Sequence, residues 1–150
     1  MHSQDAEVLA MASYAIDVTP TEWVFWRGET ELRLKTVIHL QPTPAGEVRV
    51  VAVGERPAEL IDVLSIALFD AAAAVPPRVS KATLLTAFIR HGIQQLQGRW
   101  DRMIKPVVSF RGVERLRPVL SGYEADVLKA CVEEIAREVR FDENGRSGDP

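Results

Sequence analysis

A mixed α/β fold is predicted by three features of the chain. The first third carries four strand-like segments, at 13–18, 23–27, 31–40 and 48–53, rich in β-branched and aromatic side chains. Apolar residues at helical spacing dominate the second half, and a short apolar segment at 106–110 interrupts the helices, so that strand and helix alternate towards the end.

SYAIDV at 13–18 reads as a strand. Thr19-Pro20-x-Glu22 has the form of a helix start, but WVFWR at 23–27 argues for a second strand. Gly28-Glu29-Thr30 turns the chain. From 31 to 40, Leu32, Leu34, Ile38 and Leu40 alternate with Glu31, Arg33, Lys35 and His39, which predicts one half-buried strand with His39 on its polar face. QPTPAG at 41–46 is turn chemistry, and 48–53 is a further strand ending at Gly54. After Pro57 the recurrence of Leu60, Val63, Leu64, Ala67, Leu68 and Ala71 predicts a helix, stopped by Pro76-Pro77.

Ser80 is placed to cap a second helix with a stripe from Leu84 to Leu96. A strand follows at 106–110. Ser121-x-x-Glu124 reads as a capping box ahead of Val127, Leu128, Cys131, Val132, Ile135 and Val139, which predicts a last helix and a short strand at 139–141. Residues 1–141 are expected to form a single domain, and 142–150, polar and rich in turn residues, a frayed tail. A chain of 150 residues can bury roughly 70% of its unfolded surface, so a core needs no staples.

Composition narrows the function classes. With 47% hydrophobic and 26% charged residues the chain is ordinarily globular, and one cysteine excludes an internal disulfide framework. Cys131 falls on an apolar helical face, as a buried structural thiol does. No Lys or Arg precedes Arg27, so a secretory or mitochondrial signal is not expected, and the apolar run 63–75 is broken by Ser65 and Asp70. These features predict a cytoplasmic protein. His2, His39 and His91 are far apart without cysteine pairs, so no zinc spacing exists. No serine elbow and no glycine-rich P-loop is present.

The net charge of −3 gives no global pull toward nucleic acid, but it is unevenly spread. Between 99 and 117 six basic residues face only Asp101 and Glu114, whereas from 121 onward eight acidic residues face four basic ones. An anionic partner is therefore expected at the middle segment. There Arg99, Arg102 and Lys105 interleave with Trp100, Met103 and Ile104, a pattern suited to a membrane interface or a protein partner. The bland alternative, with Trp100 and Ile104 folded onto the core, stays open.

The order of a strand meander, helices, a strand, a helix and a last strand is similar to the ribonuclease-H-like arrangement that also forms the core of actin-like domains. IDVTPTEWVFWRGETELRLKTVI, VAVGERPAELI, LLTAFIRHGI followed by MIKPVVSFRG, and AREVRF together resemble the first domain of bacterial actins of the MreB type. The resemblance covers most of residues 13–143. It implies an actin-like core, a magnesium–ATP or –ADP site opening at Asp17, Thr19 and Thr21, a water-activating carboxylate near Glu143, and a membrane-facing loop at 99–105.

The departures bear on function. The family's phosphate turn needs a glycine, so that backbone amides reach phosphate, where this chain has Thr19 followed by Pro20. Residues 111–121 read as an insertion, and the family's second domain has no counterpart. The expectation is a non-catalytic actin-like domain without a resident cofactor, binding a cytoskeletal partner such as a bacterial actin filament at an anionic membrane surface. A nucleotide half-site completed by another chain and a homo-oligomeric scaffold are the alternatives.

Overall fold

The computed structural model describes residues 13–70, 73, 75, 76, 79–97 and 104–142. It is a mixed α/β arrangement of a five-stranded sheet in the order β3-β2-β1-β7-β8 and a three-stranded sheet in the order β5-β4-β6. The strands are β1 Ser13–Val18, β2 Glu22–Arg27, β3 Thr30–Lys35, β4 Val37–Pro42, β5 Val48–Val53, β6 Leu64–Ala67, β7 Val107–Arg111 and β8 Glu138–Asp142. The helices are α1 Lys81–Leu96, α2 Arg117–Leu120 and α3 Glu124–Val132.

Alternation in β1 and β2 sends Tyr14, Ile16, Val18, Trp23 and Phe25 to one face, and antiparallel pairing sets Ile16 against Phe25 and Val18 against Trp23. The two-residue turn Gly28-Glu29 closes the β2–β3 hairpin, and Gly28 supplies the positive φ of 60° that such a turn requires. β7 and β8 then add in parallel beside β1, which puts Phe110 between Ile16 and Phe141.

Over the apolar face lies α1, capped as expected: the Ser80 hydroxyl accepts the Thr83 N–H at 3.0 Å. Its Leu84, Leu85, Phe88, Ile89 and Ile93 are buried. Gly92 is obligatory here, because a β-carbon would collide with the ring of Phe25. Trp23 is the hub of the core. It stacks on Phe69 at 5.9 Å and meets Phe88 and Phe110 edge-on at 5.4 and 6.2 Å, geometries that suit the ring quadrupoles.

Four expectations are corrected. The segment 31–40 is two strands in two sheets, broken at Thr36. Its hydroxyl donates to the Pro20 carbonyl at 2.6 Å, its N–H to Thr21 O at 3.1 Å, and its carbonyl accepts the Leu68 N–H at 2.9 Å. The break turns His39 inward, to 3% exposure. Its Nε2 donates to the Gly54 carbonyl at 2.8 Å, which leaves Nδ1 to accept from the Ser65 hydroxyl at 2.7 Å.

The described residues 60–70 do not form the expected helix; β6 pairs antiparallel with β4, setting Ile66 against Ile38. Leu64, Ile66 and Leu68 fit a period of two as well as Leu64 and Leu68 fit a helix, and the waiting edge of β4 decides between them.

Ser121 does not cap α3. It closes α2 in the left-handed region, with φ 54° and its N–H on Arg117 O at 2.8 Å. Glu124 accepts instead from Arg117 Nε at 3.0 Å. Burial opposes its charge, but its own N–H, that of Gly122 and the Arg117 guanidinium outweigh burial and hold it below the usual carboxylate range.

Finally, α3 stops at Val132 rather than near 139, because the Arg137 N–H donates to Pro106 O at 2.7 Å and draws the chain into β8. Asp142, expected in the tail, ends that strand. Cys131 is buried as expected, and burial pushes its thiol up.

Candidate functional site

Asp17, the first residue of the expected nucleotide site, is the fifth of six residues in β1 and lies on the sheet face opposite α1. The alternation that buries Ile16 and Val18 places it there. Its Oδ2 accepts the Trp26 Nε1–H at 3.4 Å.

The turn that follows is closed on itself. The Thr19 hydroxyl accepts the N–H groups of Thr21 and Glu22 at 3.3 and 3.0 Å and donates to Glu22 O at 2.7 Å. The carbonyls are also engaged: Thr19 O by Trp23 Nε1 at 3.0 Å, Pro20 O and Thr21 O by Thr36. Val18 O accepts Arg115 Nη1 at 3.3 Å. Pro20 has no N–H. Three consecutive positions, 20–22, thus present no free main-chain N–H, whereas a phosphate cradle is a run of free, converging N–H groups.

The structure gathers a different set around Asp17. In-register parallel pairing aligns Asp17, Arg111 and Asp142 across β1, β7 and β8, near the carboxyl ends of those strands. Open α/β sheets bind ligands at such strand ends, where the connections switch direction. Arg111 Nε lies 3.5 Å from Asp142 Oδ2. Beside this row an open depression of about 560 Å³ has Ala15 and Ser109 in its floor and Trp26 and Arg111 in its walls. Small residues in the floor and a tryptophan wall suit a flat or extended ligand. The only cation of the row is already paired with a carboxylate.

Sequence reasoning found Asp17 and missed Asp142, and it counted Arg111 only as part of a basic segment. The available signal was positional: Asp17 follows Ser13 by four residues, as Arg111 follows Val107 and Asp142 follows Glu138, so parallel pairing of strand starts aligns all three.

The remaining candidates fall elsewhere. In the loop expected to meet a membrane or partner, Ile104 is half-buried and Lys105 exposed, while Arg99, Trp100, Arg102 and Met103 lie outside the described residues, as does Glu143. His91, expected on a helix surface, is half-buried in an open groove of about 430 Å³ between β5 and α1, beside Val50, Val53, Ala87 and Arg90. Burial holds its pKa below the ordinary value. Among the described residues no three His, Cys, Asp or Glu side chains cluster as metal ligands would, and no helix is long and apolar enough to cross a membrane.

No protein-family model and no curated protein sequence matches the chain.

Proposed function

We propose that this chain is a ribonuclease-H-like, actin-related domain that works by binding a protein partner and does not turn over nucleotide. The closed turn at 18–22 carries the reading. Where the resemblance implies a phosphate cradle, Pro20 has no donor and the Thr19 hydroxyl has taken the next two N–H groups. Phosphoryl transfer depends on several donors and cations converging on the phosphates, and the Arg111 guanidinium, aligned with Asp17, is paired with Asp142.

Three antiparallel strands followed by two parallel ones across a helical crossover support the ribonuclease-H-like half of the proposal. The proposed partner is a cytoskeletal protein such as a bacterial actin filament, and the 99–105 loop adds affinity for an anionic membrane surface.

Two measurements test this. Thermal unfolding with and without magnesium ATP or ADP is expected to show no shift, whereas a ligand at one hundred times its Kd would add about 2.7 kcal/mol. Co-sedimentation with polymerised MreB-type actin on anionic liposomes is expected to carry the protein down, and replacing Trp100 and Ile104 by Ser to weaken it. A nucleotide shift that disappears in Asp17→Ala would instead favour a half-site completed by another chain, the reading to which the Asp17–Arg111–Asp142 row lends weight.

A further inference from the structure

The two sheets end in four edge strands, and three of them are guarded by charge. β3 exposes Glu31, Arg33 and Lys35, β8 exposes Glu138 and Arg140, and β5 exposes Arg49. Charges on an edge discourage pairing with another chain. β6, Leu64-Ser65-Ile66-Ala67, has neither a charge nor a proline.

Its edge is also open to hydrogen bonding. Because the Leu68 N–H donates to Thr36 O, the antiparallel alternation turns the N–H groups of Leu64 and Ile66 to β4 and those of Ser65 and Ala67 outward. Among the described residues no acceptor meets either outward group. Apolar surface adjoins them: Leu64 is 45% exposed and Ile61 75%.

The charge around this edge specifies the occupant. Glu59 and Asp62 are exposed just before β6 with no cation paired to them among the described residues, while Arg56 is turned onto Leu60 O at 3.0 Å. A second copy would bring the same acids to the same edge, since no basic residue occurs from 57 to 77.

We infer that the outer edge of β6 is a docking site for an extended segment of a partner protein, apolar where it faces Ile61 and Leu64 and carrying Lys or Arg at the end that adjoins Glu59 and Asp62. The segment joins the three-stranded sheet as a fourth strand, with main-chain bonds supplying affinity and the flanking charge supplying selectivity. This names the surface for the protein-binding reading above and rests on it.

The test uses the full chain and two labelled peptides of alternating Val and Thr, one with Lys at both ends and one with Glu, read by fluorescence anisotropy. The Lys-ended peptide is expected to bind about fivefold or more tightly than its counterpart. Asp62→Lys should remove most of that preference, because Glu59 is then balanced by one cation, and Ile61→Ser weaken both peptides. Ala67→Pro should abolish binding, because it removes an outward N–H and leaves the β4 ladder intact. Unfolding midpoints show that each variant is folded; Ile61 and Asp62 are exposed, so their variants carry the test if Ala67→Pro does not fold.

No saturable binding of the Lys-ended peptide, or binding that none of the three substitutions changes, overturns the inference. A concentration-dependent dimer abolished by Ala67→Pro overturns the occupant and assigns the edge to a second copy. If the peptides follow the charge rule but the chain fails to sediment with filaments, the edge site stands and the filament reading falls. If it sediments while Ala67→Pro and Asp62→Lys change nothing, the edge site falls and the filament reading stands.

Discussion

In the five-stranded sheet the inward positions of β1 and β2 are aromatic or aliphatic, and Trp23 touches four other rings, those of Phe25, Phe69, Phe88 and Phe110. The three-stranded sheet is built differently. Its central strand carries the buried His39, which ties β6 to the end of β5 through two directed hydrogen bonds. One region is held by area and shape, the other partly by a polar clasp whose loss leaves unpaired groups behind. The contrast teaches where each region is vulnerable. An aromatic cluster fails by cavity formation, with a cost that grows with the volume removed. A buried polar clasp fails by desolvation without a partner, with a cost that falls on the groups that remain.

The largest expected effect tests the first half of that contrast. Trp23→Ala should destabilise the protein by about 3–5 kcal/mol, measured by denaturant unfolding with circular dichroism. A loss below about 1 kcal/mol would show that the aromatic hub does not anchor the larger sheet.

A smaller and more local effect is expected from His39→Ala, about 1–3 kcal/mol, because Gly54 O and the Ser65 hydroxyl each lose a partner. Hydrogen exchange should quicken in β4 and β6 and stay slow in β1 and β7. Equal loss of protection in both sheets would mean that they unfold as one unit and that the contrast is only architectural.

The smallest effect concerns the seam between the regions, where His91 sits in the groove between β5 and α1. Burial lowers its folded pKa from the ordinary 6.5, so the unfolded chain binds the proton more readily. Its contribution is complete above pH 6.5 and is lost as the pH falls below that value. Urea midpoints should therefore decline from pH 7.5 to 5.5, and less so in His91→Gln. An identical decline in both proteins would remove His91 as its source.

Local chemistry made much of the fold legible. β1, β2 and β5, the Ser80-capped α1, and β7 follow from alternation, a capping hydroxyl and an apolar run, none of which needs a distant partner to be read. The failures share one cause. Thr36 interrupts a clean alternation because Pro20, Thr21 and Leu68, remote in sequence, each engage one of its polar groups. β6 satisfies two periods and takes the one that β4 completes. Ser121 carries the letters of a capping box but is already committed to the end of α2.

The candidate site divides in the same way. Asp17 was legible as an acid near a strand end, whereas Arg111 and Asp142 are brought beside it only by parallel register between segments some ninety and thirty residues apart in the chain.

Local sequence sets the α/β character, the apolar faces of the strands and α1, and the turn in which the Thr19 hydroxyl is followed by Pro20, which has no N–H. Those properties are set by side-chain periodicity and backbone chemistry within a few residues. Long-range pairing makes 31–40 serve two sheets, makes residues 64–67 a strand with an open edge, and sets Asp17, Arg111 and Asp142 in one row. Each of these depends on which remote backbone donor or acceptor is within reach, and no local pattern encodes that.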